Sequence, residues 1–203
     1  MAKSARSAEK SRETKETQIK VRVDVDGVGA SNISTGIGFF DHMLESLAKH
    51  SSIDMDIECK GDLHIDFHHT MEDVGIVLGV AIREALTGKS GGFSGIQRFG
   101  HAYIPMDETL ARATMDLCNR PYLIWRVDFT RDKVGDVDTE LFKEFFHAFA
   151  MNSGTCLHVE CLYGVNSHHI AEACFKALAR ALRMAVSPDE RLKGQAASTK
   201  GAL

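Results

Sequence analysis

The sequence predicts a mixed α/β fold of the α+β kind, built as two similar halves by internal duplication. Strand-like alternation of apolar and polar residues is interleaved with helical spacing along most of the chain. The pattern His68-His69-x-x-Glu72 returns as His168-His169-x-x-Glu172, an offset of 100. At the same offset Leu78 meets Leu178, Ala81 meets Ala181, Arg83 meets Arg183 and Ala85 meets Ala185. Upstream, Glu58-Cys59 matches Glu160-Cys161 at an offset of 102, and Phe40-x-His42 resembles Phe145-x-His147. Two occurrences are too few for a solenoid, so the halves are expected to pack against each other.

Each element follows from its local pattern. Residues 1–11 are small, polar and charged, and read as a flexible tail. The first half is taken as 12–95. In 17–25, Ile19, Val21, Val23 and Val25 alternate with polar residues, which predicts a strand. A segment of Gly, Ser and Asn leads to 38–49, where Phe39, Phe40, Met43, Leu44, Leu47 and Ala48 recur at helical spacing. Ile53, Met55 and Ile57 then alternate with acidic residues as a half-buried strand. A turn at Lys60-Gly61-Asp62 leads to a further alternation of Leu63, Ile65 and Phe67, read as another strand. From His68 the period becomes helical, to about Thr87-Gly88. The joint lies in the glycine-rich 88–100, the second half in 96–190 repeats the programme, and 191–203 form a C-terminal tail.

Composition narrows the class. The 203 residues are 44% hydrophobic, enough for a sizeable core, and the net charge of -4 argues against a basic surface for nucleic acid. No apolar run reaches the length of a membrane span, and no secretory signal is visible at the start. The five cysteines include no Cys-x-x-Cys pair and read as reduced thiols of a cytoplasmic protein.

The repeated motif carries the chemistry. Residues three or four apart share a helix face, so His68 and His69 each align with Glu72, and His168 and His169 with Glu172. Imidazole and carboxylate on one face form a metal-ligand arrangement, and adjacent histidines diverge enough to suit two neighbouring metals. His42 and His147, in matched places on preceding helices, are candidates to complete each site. Asp73 has Ala173 as its repeat partner, which gives it a supporting or helix-start role rather than ligation. His50, His64, His101 and His158 have no such matches and are read as ordinary surface or core residues. Without thiolate, the donor set suits Mn, Fe, Ni, Co or Zn. Lys176 shares the metal-bearing face and could bind a phosphate beside the metals, or could simply pair with Glu172. Arg98 follows the glycine-rich joint and Arg120 ends Asp116-Leu117-Cys118-Asn119-Arg120, and either could equally be an ordinary surface arginine. Gly88-Lys89-Ser90 is not a phosphate loop, because the earlier glycine would fall at Arg83.

Gly36-Ile37-Gly38-Phe39-Phe40-Asp41-His42-Met43-Leu44, His68-His69-Thr70-Met71-Glu72-Asp73 and Ser167-His168-His169-x-x-Glu172 closely resemble imidazoleglycerol-phosphate dehydratases. Arg12-x-Thr14-x-Glu16-Thr17 and Ser198-Thr199-Lys200-Gly201 resemble the two ends of that family. The resemblance implies halves that are each a four-stranded mixed sheet backed by two helices. It implies a cytoplasmic homo-oligomer of 24 subunits with active sites where subunits meet and chain tails closing them. It also implies two Mn2+ per site, on positions matching His42, His68, His69, Glu72, His147, His168, His169 and Glu172. Substrate contacts are implied at Glu16, Arg98, Arg120, Lys176, Ser198 and Lys200. The implied function is dehydration of imidazole glycerol phosphate to imidazole acetol phosphate in histidine biosynthesis, through an imidazolate held between the metals. Glu16 is then the expected acid/base, counted with Glu72 and Glu172 as the catalytic carboxylates. A dinuclear metal hydrolase of a small phosphorylated substrate, or a metal-storage assembly, would use the same donor set.

Overall fold

The computed structural model describes residues 6–88 and 92–201. The start of the expected tail (1–5), part of the expected joint (89–91) and the last two residues (202–203) lie outside the described residues.

The first sheet contains β1 (Ser7–Glu13), β2 (Thr17–Asp24), β3 (Ser31–Ser34) and β4 (Asp54–Gly61), in the order β1-β2-β4-β3. The first three neighbours are antiparallel, and β3 joins β4 in parallel. The helices of this half are α1 (Gly38–Ser51) and α2 (His68–Thr87). The second sheet contains β5 (Phe99–Met106), β6 (Thr109–Leu117), β7 (Tyr122–Arg126) and, after the small hairpin β8 (Lys133–Val134) and β9 (Val137–Asp138), β10 (Thr155–Tyr163). Its order β5-β6-β10-β7 reproduces the first, with β7 parallel to β10. Helices α3 (Glu140–Ser153) and α4 (Ser167–Val186) complete it.

Two expectations need correction. The strand β1 begins at Ser7, inside the segment expected as a tail to residue 11, so the first half starts earlier than 12. Its register with β2, Ser7 opposite Asp24 and Glu13 opposite Gln18, satisfies the backbone that a free tail would leave to water. Leu63 to Phe67 form a turn rather than a strand: Ile65 N–H donates to Asp62 C=O at 2.8 Å, and Ile65 is 62% exposed. At the end of β4 the chain must bend closely past the start of α2, because a Cβ on Gly61 would meet Thr70 Oγ1 at 2.0 Å.

The structure extends the duplication further than the repeated motifs do. The register pairs Ser7–Asp24 and Phe99–Asp116 differ by a common offset of 92, which also relates Glu16-Thr17 to Glu108-Thr109. The larger offset of the later motifs comes from the β8–β9 hairpin inserted between β7 and α3.

Packing explains the layering. On β2, Thr17, Ile19, Val21 and Val23 are buried and the alternate residues exposed, so each sheet offers one apolar face to its own helices. Across the halves, α1 lies on α4 and α2 lies on α3, giving the sequence sheet, helix pair, helix pair, sheet. Phenylalanines fill this middle: the Phe40 and Phe145 rings lie 5.3 Å apart, and Phe145 and Phe175 lie 5.2 Å apart. The α2–α3 approach depends on Gly75 and Gly79, where an added Cβ would stand 2.7 Å from Phe145 O and 2.8 Å from Phe149 O.

Candidate active site

The two His-His starts are capped alike. Asp66 Oδ1 accepts from the His68 N–H at 2.8 Å, and Asn166 Oδ1 accepts from the N–H groups of His168 at 2.9 Å and His169 at 3.4 Å. Each pair therefore sits in the first turn of a buried helix, with its rings near perpendicular at 85° and 83°.

The crossing of α1 and α4 brings ligands from opposite halves together. His42, His168 and Glu172 each offer a donor atom within 4.8 Å of the others, the one such group among the described residues. His168 Nε2 is 3.2 Å from Glu172 Oε2, and His42 Nε2 is 3.9 Å from the same oxygen. Lys176, one turn along α4, takes the other oxygen at 2.7 Å. Glu172 is thus divided between a cation on Oε1 and the histidines on Oε2. Burial pushes its carboxyl pKa up, but Lys176, His168 and His42 more than offset this and hold it below the ordinary value. Phe39 packs edge-on to His168 with centroids 5.0 Å apart, and Asp41 fixes the approach to α1 by accepting from Thr35 N–H at 2.9 Å.

The matching crossing of α2 and α3 is looser. His68 Nε2 stands 3.7 Å from Glu72 Oε2, while His147 is exposed on α3 with no hydrogen bond or ion pair to either. The remaining expected ligands, His69 and His169, belong to neither group. Their Nδ1 atoms contact Asp62 at 3.0 Å and Glu108 at 2.7 Å, and these bonds raise both imidazole pKa values. Repeat matching did not reveal Asp62 and Glu108, because they sit at different places in the two halves.

The family model for imidazoleglycerol-phosphate dehydratase matches residues 35–182. The imidazoleglycerol-phosphate dehydratase of Phenylobacterium zucineum is 68% identical over 98% of this chain and 100% of its own length. That of Rhodopseudomonas palustris is 59% identical over 98% of each. The crystal structure of the Staphylococcus aureus enzyme superposes with a TM-score of 0.81 at 39% identity, covering 90% of this chain and 99% of that one. The enzyme of Pyrococcus furiosus gives 0.81 at 38%, covering 96% and 100%. The chain belongs to the imidazoleglycerol-phosphate dehydratase family.

Against that family membership, the other expected residues fall in separate places. Arg98, Arg120, Ser198 and Lys200 line one cavity of about 440 Å³ with Cys118, Ala197 and Thr199. Arg98 is engaged there by Asp116 through Nε at 2.6 Å and Nη2 at 2.9 Å, and it also donates to Ala197 C=O, which holds the C-terminal segment on the cavity. Lys176 lies instead at the His42/His168/Glu172 group. Glu16 is exposed at the β1–β2 turn, with His69 Nε2 3.8 Å from its Oε1. Asp73, read as a supporting residue, is buried and ties sheet to helix: it accepts from Thr17 Oγ1 at 2.5 Å and from Arg12 Nε at 3.2 Å. A larger cavity of about 780 Å³ under the β8–β9 hairpin is lined by His168, His169 and Glu108 together with Arg131 and Lys133, two basic residues that no repeat marked.

Proposed function

We propose that this chain dehydrates imidazole glycerol phosphate to imidazole acetol phosphate, a step of histidine biosynthesis, with two Mn2+ at each site. The observation that carries the metal part is the His42/His168/Glu172 group, three donors brought together from opposite halves by the α1–α4 crossing. Nitrogen and carboxylate donors without thiolate fit a borderline-to-hard divalent ion, and Lys176 on Oε1 leaves Oε2 of Glu172 to bind it. When bound, the ions would lower the pKa of the substrate's ring N–H and hold the ring in place.

The protein's own groups do the rest. Dehydration removes a hydroxyl from the carbon next to the ring and a proton from its neighbour, and the resulting enol becomes the ketone with water as the co-product. Glu16, exposed beside His69, is the acid/base of this proposal for that proton. Arg98, Arg120, Ser198 and Lys200 form a cationic, hydroxyl-bearing cavity for the phosphate, which anchors the substrate away from the reacting carbons. Lys176 adds charge at the metal side. In this reading the chain is a cytoplasmic protein assembled as 24 copies, with sites completed at subunit contacts. Exposed apolar side chains such as Val28, Ile65, Tyr122 and Val165 support an interface, and among the described residues no helix is long and apolar enough to cross a membrane.

Metal analysis combined with a product assay on the purified protein tests the proposal. Two Mn2+ per chain and a phosphorylated ketone are expected. Release of inorganic phosphate would point to the dinuclear hydrolase, and metal uptake without turnover to a storage assembly.

A further inference from the structure

Two carboxylates outside the eight expected ligands make the same contact in each half. Glu108 Oε2 lies 2.7 Å from Nδ1 of His169, and Asp62 Oδ2 lies 3.0 Å from Nδ1 of His69. They are not duplicates of one another. Glu108 sits in the β5–β6 turn, whose first-half counterpart carries Glu16, whereas Asp62 follows β4. The two halves reach one contact from different strand ends. On the far edge of each ring, Nε2 faces outward, 3.8 Å from Asp107 Oδ2 in one half and 3.8 Å from Glu16 Oε1 in the other. An ionised carboxylate only accepts hydrogen bonds, so Nδ1 is the donor in each pair, and in the neutral ring the lone pair then lies on Nε2.

We infer that Asp62 and Glu108 are positioning residues that fix ring orientation and tautomer so that His69 and His169 present Nε2 to a metal ion. The inference rests on the metal-dependent reading above and adds two residues to it. Neither touches reacting atoms.

Glu108 is the more constrained of the two. Its Oε1 accepts from Asn166 N–H at 2.8 Å, Val165 N–H at 3.1 Å and Thr109 Oγ1 at 3.0 Å, which leaves Oε2 for His169. These bonds, with that to His169, hold its carboxyl pKa far below the ordinary value. Because Asn166 also caps α4, one carboxylate ties together a strand turn, a helix start and a ring. By contrast Asp62 Oδ1 is buried without a partner among the described residues, so only His69 selects which oxygen faces it.

This asymmetry supplies the test. In Glu108→Gln the backbone N–H groups keep the amide oxygen in the Oε1 place, so the amide nitrogen faces His169. That nitrogen only donates; Nδ1 must then accept, and the proton moves to Nε2, where it blocks ligation. In Asp62→Asn the amide is free to turn its oxygen to His69. Mn2+ binding to the full-length protein, followed by the electron-spin signal of the free ion, should show Glu108→Gln losing ten- to a hundredfold in affinity at one class of site. Asp62→Asn should lose clearly less, and the affinities are compared at a temperature where each metal-free variant is folded by circular dichroism, so that a merely structural loss is read separately. Wild-type affinity in Glu108→Gln, or an equal or greater loss in Asp62→Asn, overturns the inference. A wild-type protein that binds no Mn2+ overturns the metal reading itself. Should Glu108→Gln fail to fold, Asp62→Ala repeats the test at His69: about a tenfold loss is expected, and unchanged affinity refutes it.

Discussion

Replacing Lys176 by glutamine probes the carboxylate at the centre of the α1–α4 group. Lys176 Nζ is 2.7 Å from Glu172 Oε1, and the two side chains are 23% and 10% exposed. At that separation two unit charges attract by about 6 kcal/mol for an effective dielectric of about 20. Desolvation of both ions cancels most of this, and a hydrogen bond to a charged group nets about 1.5–3 kcal/mol. The variant leaves a mostly buried carboxylate facing only histidines, so the cost belongs in the upper part of that range, about 2–3 kcal/mol. For a chain of this length the melting temperature should fall by about 4–12 °C in EDTA. Saturating Mn2+ replaces the lost ammonium as countercharge, so the gap should shrink to less than half. The assay is thermal unfolding of both proteins at equal concentration, with and without metal. Coincident curves in EDTA, or a gap that metal does not narrow, would refute the reasoning. The pH dependence has a definite sign. The native carboxyl is held below its ordinary value of 4.5, so the pair's stabilisation is present above that pH and lost as pH falls through the native value. The gap between the two proteins should be full at neutral pH and close in acid.

Glu16→Gln should leave metal content and assembly intact while turnover drops at least about a hundredfold, because the proposal gives this exposed carboxylate a chemical role and the structure gives it little packing; near-normal turnover removes it from the mechanism. Gly75→Ala gains about 1 kcal/mol of helix propensity but puts a Cβ 2.7 Å from Phe145 O and 3.0 Å from Ala148 Cβ. Overpacking of about 1–3 kcal/mol should win, and a variant more stable in urea than wild type would contradict the close α2–α3 approach. Burial pushes the Cys59 thiol up to about 11 and raises Cys174 as well. At pH 8 a thiol reagent should leave both unmodified in the native protein and label all five cysteines after unfolding, as read by mass spectrometry; rapid native labelling of Cys174 would be incompatible with the packing described.

The sequence makes the repeated helices legible because ligand chemistry and helical spacing restrict the same positions. His42, His68, His69, Glu72 and their partners keep their identity, and α1 and α2 begin and end close to where periodicity places them. The β1–β2 and β5–β6 hairpins repeat equally well in space but share few residues, since a half-exposed strand needs only alternation. The start of β1, Ser7 to Ser11, passes for a tail because on this strand Ala8 alone is buried. Leu63, Ile65 and Phe67 alternate like a strand, yet the turn that delivers Asp62 to His69 takes precedence. Chain order also does not say which half His42 serves. That is decided by the packing of α1 on α4, a property of the whole core.

The crossed helix pairs have a bearing on how such a chain can be divided. Cut between α2 and β5, neither fragment would own a finished three-donor group, since His42 would travel with one piece and Glu172 with the other. Mixed, the fragments should rebuild that group only after re-forming the phenylalanine-filled seam. An unfused ancestor of half the length would have faced the same requirement and could have worked only in pairs.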